Sequence, residues 1–176
     1  MIETERLLIK PLTARELKQA VRLPNDLTKG LGVIPSHSLI GEETKEAIEN
    51  DLLPNIGKPS KDYLFYTMWM IIWKEEKAIV GAICFHGEPD ENGKVEIGYG
   101  TDIKYRNKGF MTEAIAGVIQ WIQKNRNVKL ITAETESSNI ASAKVLEKNN
   151  FKRGKNINKS LLFYSIDCNP CTSDGS

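Results

Sequence analysis

The sequence predicts one α/β (α+β) domain in which a mixed sheet carries helices on its faces. Short runs rich in aromatic and β-branched residues recur along the chain, as is typical of strands. Two longer segments in the C-terminal half place apolar residues at helical spacing. The predicted order is one strand, two helices, three strands, then helix, strand, helix and strand, which is typical of a sheet covered by helices.

The length and charge of the chain indicate a single domain and argue against binding to nucleic acid or a membrane. With 176 residues of which 40% are hydrophobic, the chain suits one domain, which we assign to residues 1–167, with 168–176 as a flexible tail. Lys and Arg number 24 against 23 Asp and Glu, so no overall field attracts nucleic acid or a membrane, and any anion site must be local. Without a secretion-signal pattern, and with an apolar run over 63–73 too short to span a bilayer, we expect a cytoplasmic protein.

The cysteines and histidines predict no metal site. Cys84 lies in an apolar strand pattern, where a small buried thiol is the simplest interpretation. Cys168 and Cys171 form a Cys-x-x-Cys pair, but a redox pair needs a helix behind it and only TSDGS follows. Two sulfurs are also half a zinc site. His86 comes just before Gly87 at the end of a strand pattern, so we interpret it as a turn residue.

The first elements are a strand and a capped helix. Residues 6–12 alternate apolar and polar side chains, as a strand with one buried face does. Thr13 and Glu16 form a capping box that starts a helix over 14–22.

A loop and a second helix come next. The Pro- and Gly-rich segment 23–39 predicts a loop, and a helix is expected from about 42 to 53, ending before Pro54.

A three-stranded antiparallel meander occupies the middle of the chain. Its strands are predicted at 65–73, 78–87 and 94–101, separated by KEEK and PDENGK turns. The remaining elements are a helix from near Gly109, a strand at 130–136, a helix within 139–151 and a last strand at 161–166.

The segment YRNKGFM, residues 105–111, directly precedes the first of these C-terminal helices. The first amides of a helix lack intrahelical partners and carry partial positive charge, so a turn before them can bind an anion. Gly109 would let the backbone approach a phosphate, and Arg106 and Lys108 would add charge. An ordinary solvated loop is the alternative interpretation of these residues.

Neighbouring segments favour the anion site. The pattern R-x-x-G-x-M at 106–111, preceded by VEIGYGT and followed by ITAETESSNIASAKVLEKNNF, resembles the GNAT acetyltransferases, whose pyrophosphate motif is R/Q-x-x-G-x-G/A. The resemblance extends from TERLLIKPLT through nearly the whole chain and is strongest to the RimJ/RimL branch, whose characterised members acetylate N-terminal amines of ribosomal proteins. It implies the GNAT fold, with a mixed, mostly antiparallel sheet of about six to seven strands and about four flanking helices.

The same resemblance implies acetyl-CoA as co-substrate and assigns its binding residues. Backbone amides of the strand at 94–101 would polarise the thioester and pair with the pantetheine arm, where this strand parts from its neighbour. Asn139 would contact pantetheine or cap a helix. The implied cofactor-binding residues are Gly98, Tyr99, Thr101, Arg106, Asn107, Lys108, Gly109, Phe110, Met111, Asn139 and Ser142.

Two positions depart from the family pattern. Met111 stands where Gly or Ala is preferred, so either its side chain points away from the pyrophosphate or the loop opens. Leu146 stands where many members carry a Tyr that protonates the leaving thiolate. Tyr99 and Tyr105 could supply that proton, although packing is the simpler role for both.

A protonated amine must lose a proton before it attacks the thioester, so we expect a carboxylate base. Glu96 lies opposite Val95 and Ile97 on its strand, and Glu134 and Glu136 share one face of the next. Glu96 and Glu134 are the leading choices, acting through water, and the alternative is a solvated face.

Ser142 is the third catalytic candidate. It could hold the CoA sulfur, or it could be a passenger in its helix.

These assignments predict a cytoplasmic N-acetyltransferase that acts on a primary amine, first a protein N-terminal α-amine. A small-molecule amine is the enzymatic alternative, and a non-catalytic CoA-binding sensor is the other. The acceptor side is expected within residues 23–61, which carry no motif that identifies an amine. We expect a monomer or homodimer with no nucleic acid, membrane or metal partner.

Overall fold

The computed structural model describes residues 1–36, 38–124, 127–155 and 158–168, whose strands form one eight-stranded sheet. The sheet order is β1-β2-β3-β4-β5-β6-β8-β7. In chain order the strands are β1 (Ile2–Glu3), β2 (Leu7–Pro11), β3 (Met68–Trp73), β4 (Ala78–Phe85), β5 (Lys94–Thr101), β6 (Leu130–Glu136), β7 (Lys152–Arg153) and β8 (Leu161–Asp167).

Neighbouring strands of this sheet run antiparallel except β5 and β6, which pair in parallel. The predicted mixed, mostly antiparallel sheet is therefore confirmed. It has eight described strands rather than six or seven, because the two-residue strands β1 and β7 extend its two edges. Strands this short carry too little pattern to be recognised in a sequence.

The helices in the described chain are α1 (Ala14–Arg22), α2 (Pro24–Leu31), α3 (Glu42–Ala47), α4 (Leu53–Ile56), α5 (Phe110–Gln123) and α6 (Ile140–Lys148). A π-helical turn, Ile48–Leu52, joins α3 to α4 into one continuous helix, which gives five helices where about four were expected. The capping box of α1 is confirmed: the Thr13 hydroxyl accepts from the Glu16 amide, and the Glu16 carboxylate accepts from the Thr13 amide at 2.8 Å.

Two parts of the N-terminal half were predicted wrongly. The segment 23–39 was expected to be a loop but contains α2, which has Pro24 in its first turn, buried Leu27, and Gly32 as a left-handed C-cap. The next helix was expected to stop before Pro54 but continues to Ile56. Pro54 lies in the first turn of α4, directly after the π-helical turn, where its missing amide is tolerated.

Helix α5 covers one face of the sheet with aromatic side chains. Trp121 packs on Trp69 with ring centroids 4.9 Å apart and on Phe85 at 6.0 Å. Residues alternate between the two faces along β4 and β5, so the opposite side carries Cys84, Glu96 and Gly98. We call this opposite side of β4 and β5 the cleft face.

Helices of the described ranges do not reach the length and apolar content that a membrane span requires. The last described residue, Cys168, was assigned to the flexible tail but is 2% exposed, and its amide donates to the Lys129 carbonyl at 2.8 Å. The packed part of the chain thus extends at least one residue beyond the predicted boundary at 167. Cys171 and the other residues after Cys168 lie outside the described residues.

Candidate active site

The parallel strands β5 and β6 separate soon after they begin. Among the described residues, three pairs join them: Lys94 with Leu130, Val95 with Ile131, and Glu96 with Thr132. Beyond Glu96, β5 continues to Thr101 paired with β4 alone. The edge of residues 97–101 that faces β6 therefore has no strand partner, which is the separation that the family resemblance implied. Thr101, a predicted cofactor residue, lies half-buried at the end of this edge.

The predicted phosphate loop begins just beyond that edge and leads into α5. Gly109 has a φ of 78° and Asn107 a φ of 61°, so the chain makes two left-handed steps before the helix. The first intrahelical bond runs from the Glu113 amide to the Gly109 carbonyl at 3.1 Å. The amides that open α5 thus have no carbonyl partner inside the helix, which is the arrangement that binds an anion.

Arg6, which the sequence analysis did not single out, braces this loop from the other end of the chain. Its Nε donates to Glu113 Oε2 at 2.7 Å and its Nη1 donates to the Lys108 carbonyl at 3.1 Å. Its guanidinium also lies 4.6 Å above the Phe110 ring. Two hydrogen bonds and a cation–π contact thus tie the residue just before β2 to the loop and to the start of α5. Because Glu113 lies 107 residues away in the sequence, no local pattern indicates this pairing.

Glu113 is the centre of this brace. It accepts from the Thr4 hydroxyl at 2.6 Å and from the Arg6 amide at 2.8 Å, besides the Arg6 side chain. Partial burial alone would raise the pKa of Glu113, but these hydrogen bonds outweigh it and hold the pKa below its ordinary value. The Glu113 carboxylate is therefore charged at neutral pH, and both of its oxygens accept hydrogen bonds from Thr4 or Arg6.

The side chains of the loop divide into buried and exposed sets. Phe110 and Met111 are 3% and 5% exposed, and the Met111 Cε lies against Gly81 in the sheet. Met111 thus points into the core, the first of the two alternatives considered for this position. Arg106, Asn107 and Lys108 are exposed to solvent, and the Lys108 ammonium lies over the Trp73 and Tyr105 rings at 5.6 and 5.3 Å.

The cleft face places a histidine beside the leading carboxylate candidate. Glu96 Oε1 lies 2.9 Å from His86 Nδ1, and the His86 amide donates to the Glu96 carbonyl at 3.0 Å. A Cβ added to Gly98 would lie 3.2 Å from His86 Nε2 and 3.4 Å from the Cys84 sulfur. His86 is therefore more than the predicted turn residue, because its side chain is paired and lies over the strand.

Two carboxylates influence Cys84 on this face. Burial raises the pKa of its thiol to about 11; the hydrogen bond to the Gly98 carbonyl opposes this rise, and the charges of Asp51 and Glu96 add to it. Asp51, in the π-helical turn, thus acts on the same face as Glu96. Because the thiol keeps its proton at neutral pH, Cys84 is unreactive there. The residue is half-buried, whereas the sequence predicted a buried thiol.

Tyr99 and Ser142 form a hydroxyl pair on the other side of β5. Their oxygens are 2.8 Å apart, and Tyr99 also donates to the Ser142 carbonyl at 3.1 Å. Burial raises the pKa of Tyr99 to about 12, against the opposing effect of its bond to Ser142. Asn139 accepts from the Ser142 amide at 3.1 Å and so caps α6, which fixes where Ser142 lies.

The remaining residues considered for proton transfer differ in their exposure to solvent. Glu134 and Glu136 are exposed on β6, across the gap from the unpaired edge of β5. Leu146 is fully buried and has no proton to donate. Tyr105 is 3% exposed and packs against Trp73 and Phe110, as its packing interpretation predicted.

Two surface pockets of about 480 and 410 Å³ lie away from these residues, one beside the β4–β5 turn and one between α1 and α2. Neither of these two pockets is lined by a predicted site residue. Among the described residues, no group of three or more His, Cys, Asp or Glu side chains could hold a metal ion.

Comparisons with known proteins agree with this geometry. Residues 6–152 match the family described as acetyltransferase (GNAT) domain. An uncharacterised N-acetyltransferase of Bacillus subtilis, YjdG, is 34% identical over 154 residues, which cover 86% of this chain and 89% of the relative.

Solved structures show the same fold. A GNAT-family acetyltransferase from Bacillus anthracis superposes with a TM-score of 0.64 at 23% identity, covering 95% of this chain and 98% of the other. RimL, a ribosomal L7/L12 α-N-protein acetyltransferase in complex with coenzyme A, gives a TM-score of 0.65 at 14% identity, covering 93% and 95%.

Proposed function

The chain belongs to the GNAT family and is an acetyl-CoA-dependent N-acetyltransferase, and from that premise we propose that it acetylates a protein N-terminal α-amine. The observation that carries the proposed site is the separation of β5 from β6 after Glu96. An exposed strand edge pairs with an extended partner through backbone hydrogen bonds. Pantetheine contains two amide groups and fits that edge.

The phosphate end of the cofactor would lie on the loop before α5. The unpaired first amides of α5 and the positive end of its dipole favour a pyrophosphate there. Gly109 leaves its backbone open to close approach, and exposed Arg106 and Lys108 can add charge from solvent. Because Met111 points into the core, the departure from the family motif leaves the anion-facing side clear.

Acetyl transfer begins when a neutral amine attacks the thioester carbonyl. Backbone amides of the β5 edge would polarise that carbonyl, and the carboxylates of Glu96 and Asp51 would favour the approach of a cationic amine. As the C–N bond forms and the C–S bond breaks, the electron pair goes to sulfur and the thiolate needs a proton.

The Tyr99–Ser142 pair would serve the thiolate, because Leu146 cannot. Ser142 Oγ lies 2.8 Å from Tyr99 Oη, so a proton given up by the serine can be replaced by the tyrosine. The pKa of Tyr99, about 12, keeps that hydroxyl protonated throughout the neutral range.

An N-terminal amine is our first acceptor for two reasons. The cleft face presents the carboxylates of Glu96 and Asp51, which favour a cationic amine. The fold is also that of RimL, which is described as acting on ribosomal protein L7/L12.

The test is acetyl-CoA turnover, measured as thiol release against peptides with free N-termini and small amines. The same peptides with blocked N-termini are the matched control, and CoA binding is measured by calorimetry. We expect turnover with free N-termini and none with blocked ones. Turnover with small amines alone would contradict the protein N-terminus as acceptor and favour a small-molecule acceptor. CoA binding without any turnover would favour the non-catalytic CoA-binding sensor.

A further inference from the structure

We infer that His86 is the base that removes the proton from the acceptor amine, with Glu96 as the residue that positions it. This inference rests on the proposed function, because it concerns the first step of the same reaction. The sequence pattern favoured Glu96 or Glu134, acting through water, for that step. The contacts on the cleft face support a different assignment.

The first argument is the short distance between His86 and Glu96. Glu96 Oε1 lies 2.9 Å from His86 Nδ1, and because a carboxylate oxygen would repel an unprotonated nitrogen at that distance, the contact favours a proton on Nδ1. In a neutral imidazole the other nitrogen then carries a lone pair. Glu96 thus holds His86 in the tautomer whose Nε2 can accept a proton.

The second argument is where Nε2 lies. A Cβ at Gly98 would be 3.2 Å from Nε2 and 4.0 Å from the adjacent ring carbon, so the imidazole edge lies over Gly98. Gly98 is on the part of β5 that has no partner in β6, where the thioester is proposed to bind. Any larger residue at 98 would crowd this nitrogen.

The third argument is exposure. The His86 side chain is 55% exposed and the Glu96 side chain 27%, so the imidazole stands between the carboxylate and solvent. An incoming amine would meet Nε2 before it met Glu96.

The charged and titratable groups around His86 come from several elements. Glu96 on β5 and Cys84 on β4 lie beside it, and Asp51 acts on the same face from the π-helical turn. Next to Gly87 lies the Tyr66 hydroxyl, which donates to Glu88 at 3.5 Å. The negative groups of this set would stabilise the imidazolium formed when His86 accepts a proton.

The proton balance is complete without another reactant. The ammonium group of the acceptor gives one proton to Nε2, and the resulting amine forms the C–N bond as the C–S bond breaks. The second proton of that nitrogen is lost as the thiolate gains one. His86 then returns its proton to water, so each turnover releases one proton.

The experiment compares His86→Asn, Glu96→Gln and the double variant in the full chain, using the best acceptor peptide. Asn can still donate to Glu96 in place of Nδ1 but has no basic nitrogen. We expect H86N to lower kcat/KM by about 10²- to 10⁴-fold and E96Q by about tenfold, with the double variant no worse than H86N within about twofold. Calorimetric CoA affinity should stay within about twofold of wild type.

Two further readouts separate catalysis from structure. H86N should lose the acid limb of log kcat/KM against pH, and added imidazole should restore activity to His86→Ala. Glu91→Gln, an exposed carboxylate in the β4–β5 turn, is the control and should behave as wild type.

The inference is overturned if H86N keeps more than about half of the wild-type kcat/KM, or if E96Q loses more than H86N. An inactive wild type that still binds CoA would instead remove the proposed function, and this inference with it.

Discussion

The two ends of the candidate site are built differently. At the phosphate end, hydrogen bonds within the protein join Arg6, just before β2, to Glu113 and to the Lys108 carbonyl. At the acyl end, the His86 imidazole is more than half exposed, and residues 97–101 pair with no strand of the described chain except β4. A loop that only binds the cofactor can have its supporting side chains fully hydrogen-bonded within the protein. Side chains that transfer protons must instead keep a donor or acceptor that no protein group uses. The difference predicts affinity losses at one end and rate losses at the other.

The largest change in CoA affinity should follow substitution of Gly109. We expect Gly109→Glu to weaken CoA binding by at least about 100-fold, roughly 2.7 kcal/mol. A carboxylate beside the first amides of α5 would repel the pyrophosphate, and the backbone φ of 78° is one that side chains rarely adopt. Calorimetry with CoA measures the effect.

Two control variants test whether the loss of CoA affinity in Gly109→Glu comes from misfolding. Gly57→Glu adds the same charge where a Cβ meets nothing within 4 Å, and it should bind CoA as wild type does. Gly109→Asn tolerates the left-handed backbone, so its affinity should fall between the two. Wild-type affinity in G109E would remove the loop from the site.

Tyr99→Phe tests the acyl end without disturbing the phosphate end. We expect kcat to fall about tenfold with CoA affinity unchanged, because the hydroxyl that supports Ser142 is lost. The pKa of Tyr99, about 12, lies above the assay range, so the loss should be the same from pH 6 to 9. Steady-state kinetics over that range measures it, and an unchanged kcat would mean that the pair is structural.

Glu113→Gln breaks the brace of the phosphate end. We expect a loss of about 1–3 kcal/mol in the free energy of unfolding at pH 7, since charge-assisted bonds to Arg6 and Thr4 weaken. The folded-state pKa of Glu113 is lowered from 4.5, so this stability is present above 4.5 and is lost as pH falls through the lowered value.

Urea unfolding of wild type and E113Q from pH 7 to pH 3 measures the difference, which should shrink at the acid end. If the difference in the free energy of unfolding stays constant with pH, packing and not charge accounts for the stabilisation by Glu113. Glu3→Gln is a suitable control, because Glu3 is more exposed and pairs with Lys74 at the surface.

The smallest effect is expected for Glu134→Gln. If His86 accepts the proton, removing this exposed carboxylate across the gap should change kcat/KM by less than about twofold. The same pH–rate measurements serve as the check. A loss near that of H86N would return the base to β6 and reverse our ranking of the candidates.

Local patterns explain which elements could be predicted. Helix α1 has the bounds set by the Thr13 and Glu16 capping box, and β5 and β6 match their predicted ranges. Helix α2 was missed because its eight residues, PNDLTKGL, mix helix breakers with a single fully buried Leu. The extension through Pro54 depends on a π-helical turn, which no sequence rule anticipates.

Local sequence patterns also predict only part of the candidate site. The family motif located the loop and the edge of β5, but the partners of those residues come from distant segments. Arg6 reaches Glu113 across 107 positions, and His86 meets Glu96 only because β4 and β5 pair in one register. The roles of the predicted site residues remain predictions, with His86 now placed ahead of Glu96 and Glu134.

The short joint between β5 and β6 has a consequence for the lifetime of the protein. Three residue pairs join the two parts of the described sheet, so local opening at this joint would expose strand edges to proteases. A pantetheine arm bound in the gap would act as the missing strand. At a cofactor concentration 100 times Kd it would add about 2.7 kcal/mol and reduce the opened population about 100-fold. The cellular supply of acetyl-CoA would then set how long each copy survives as well as how fast it works.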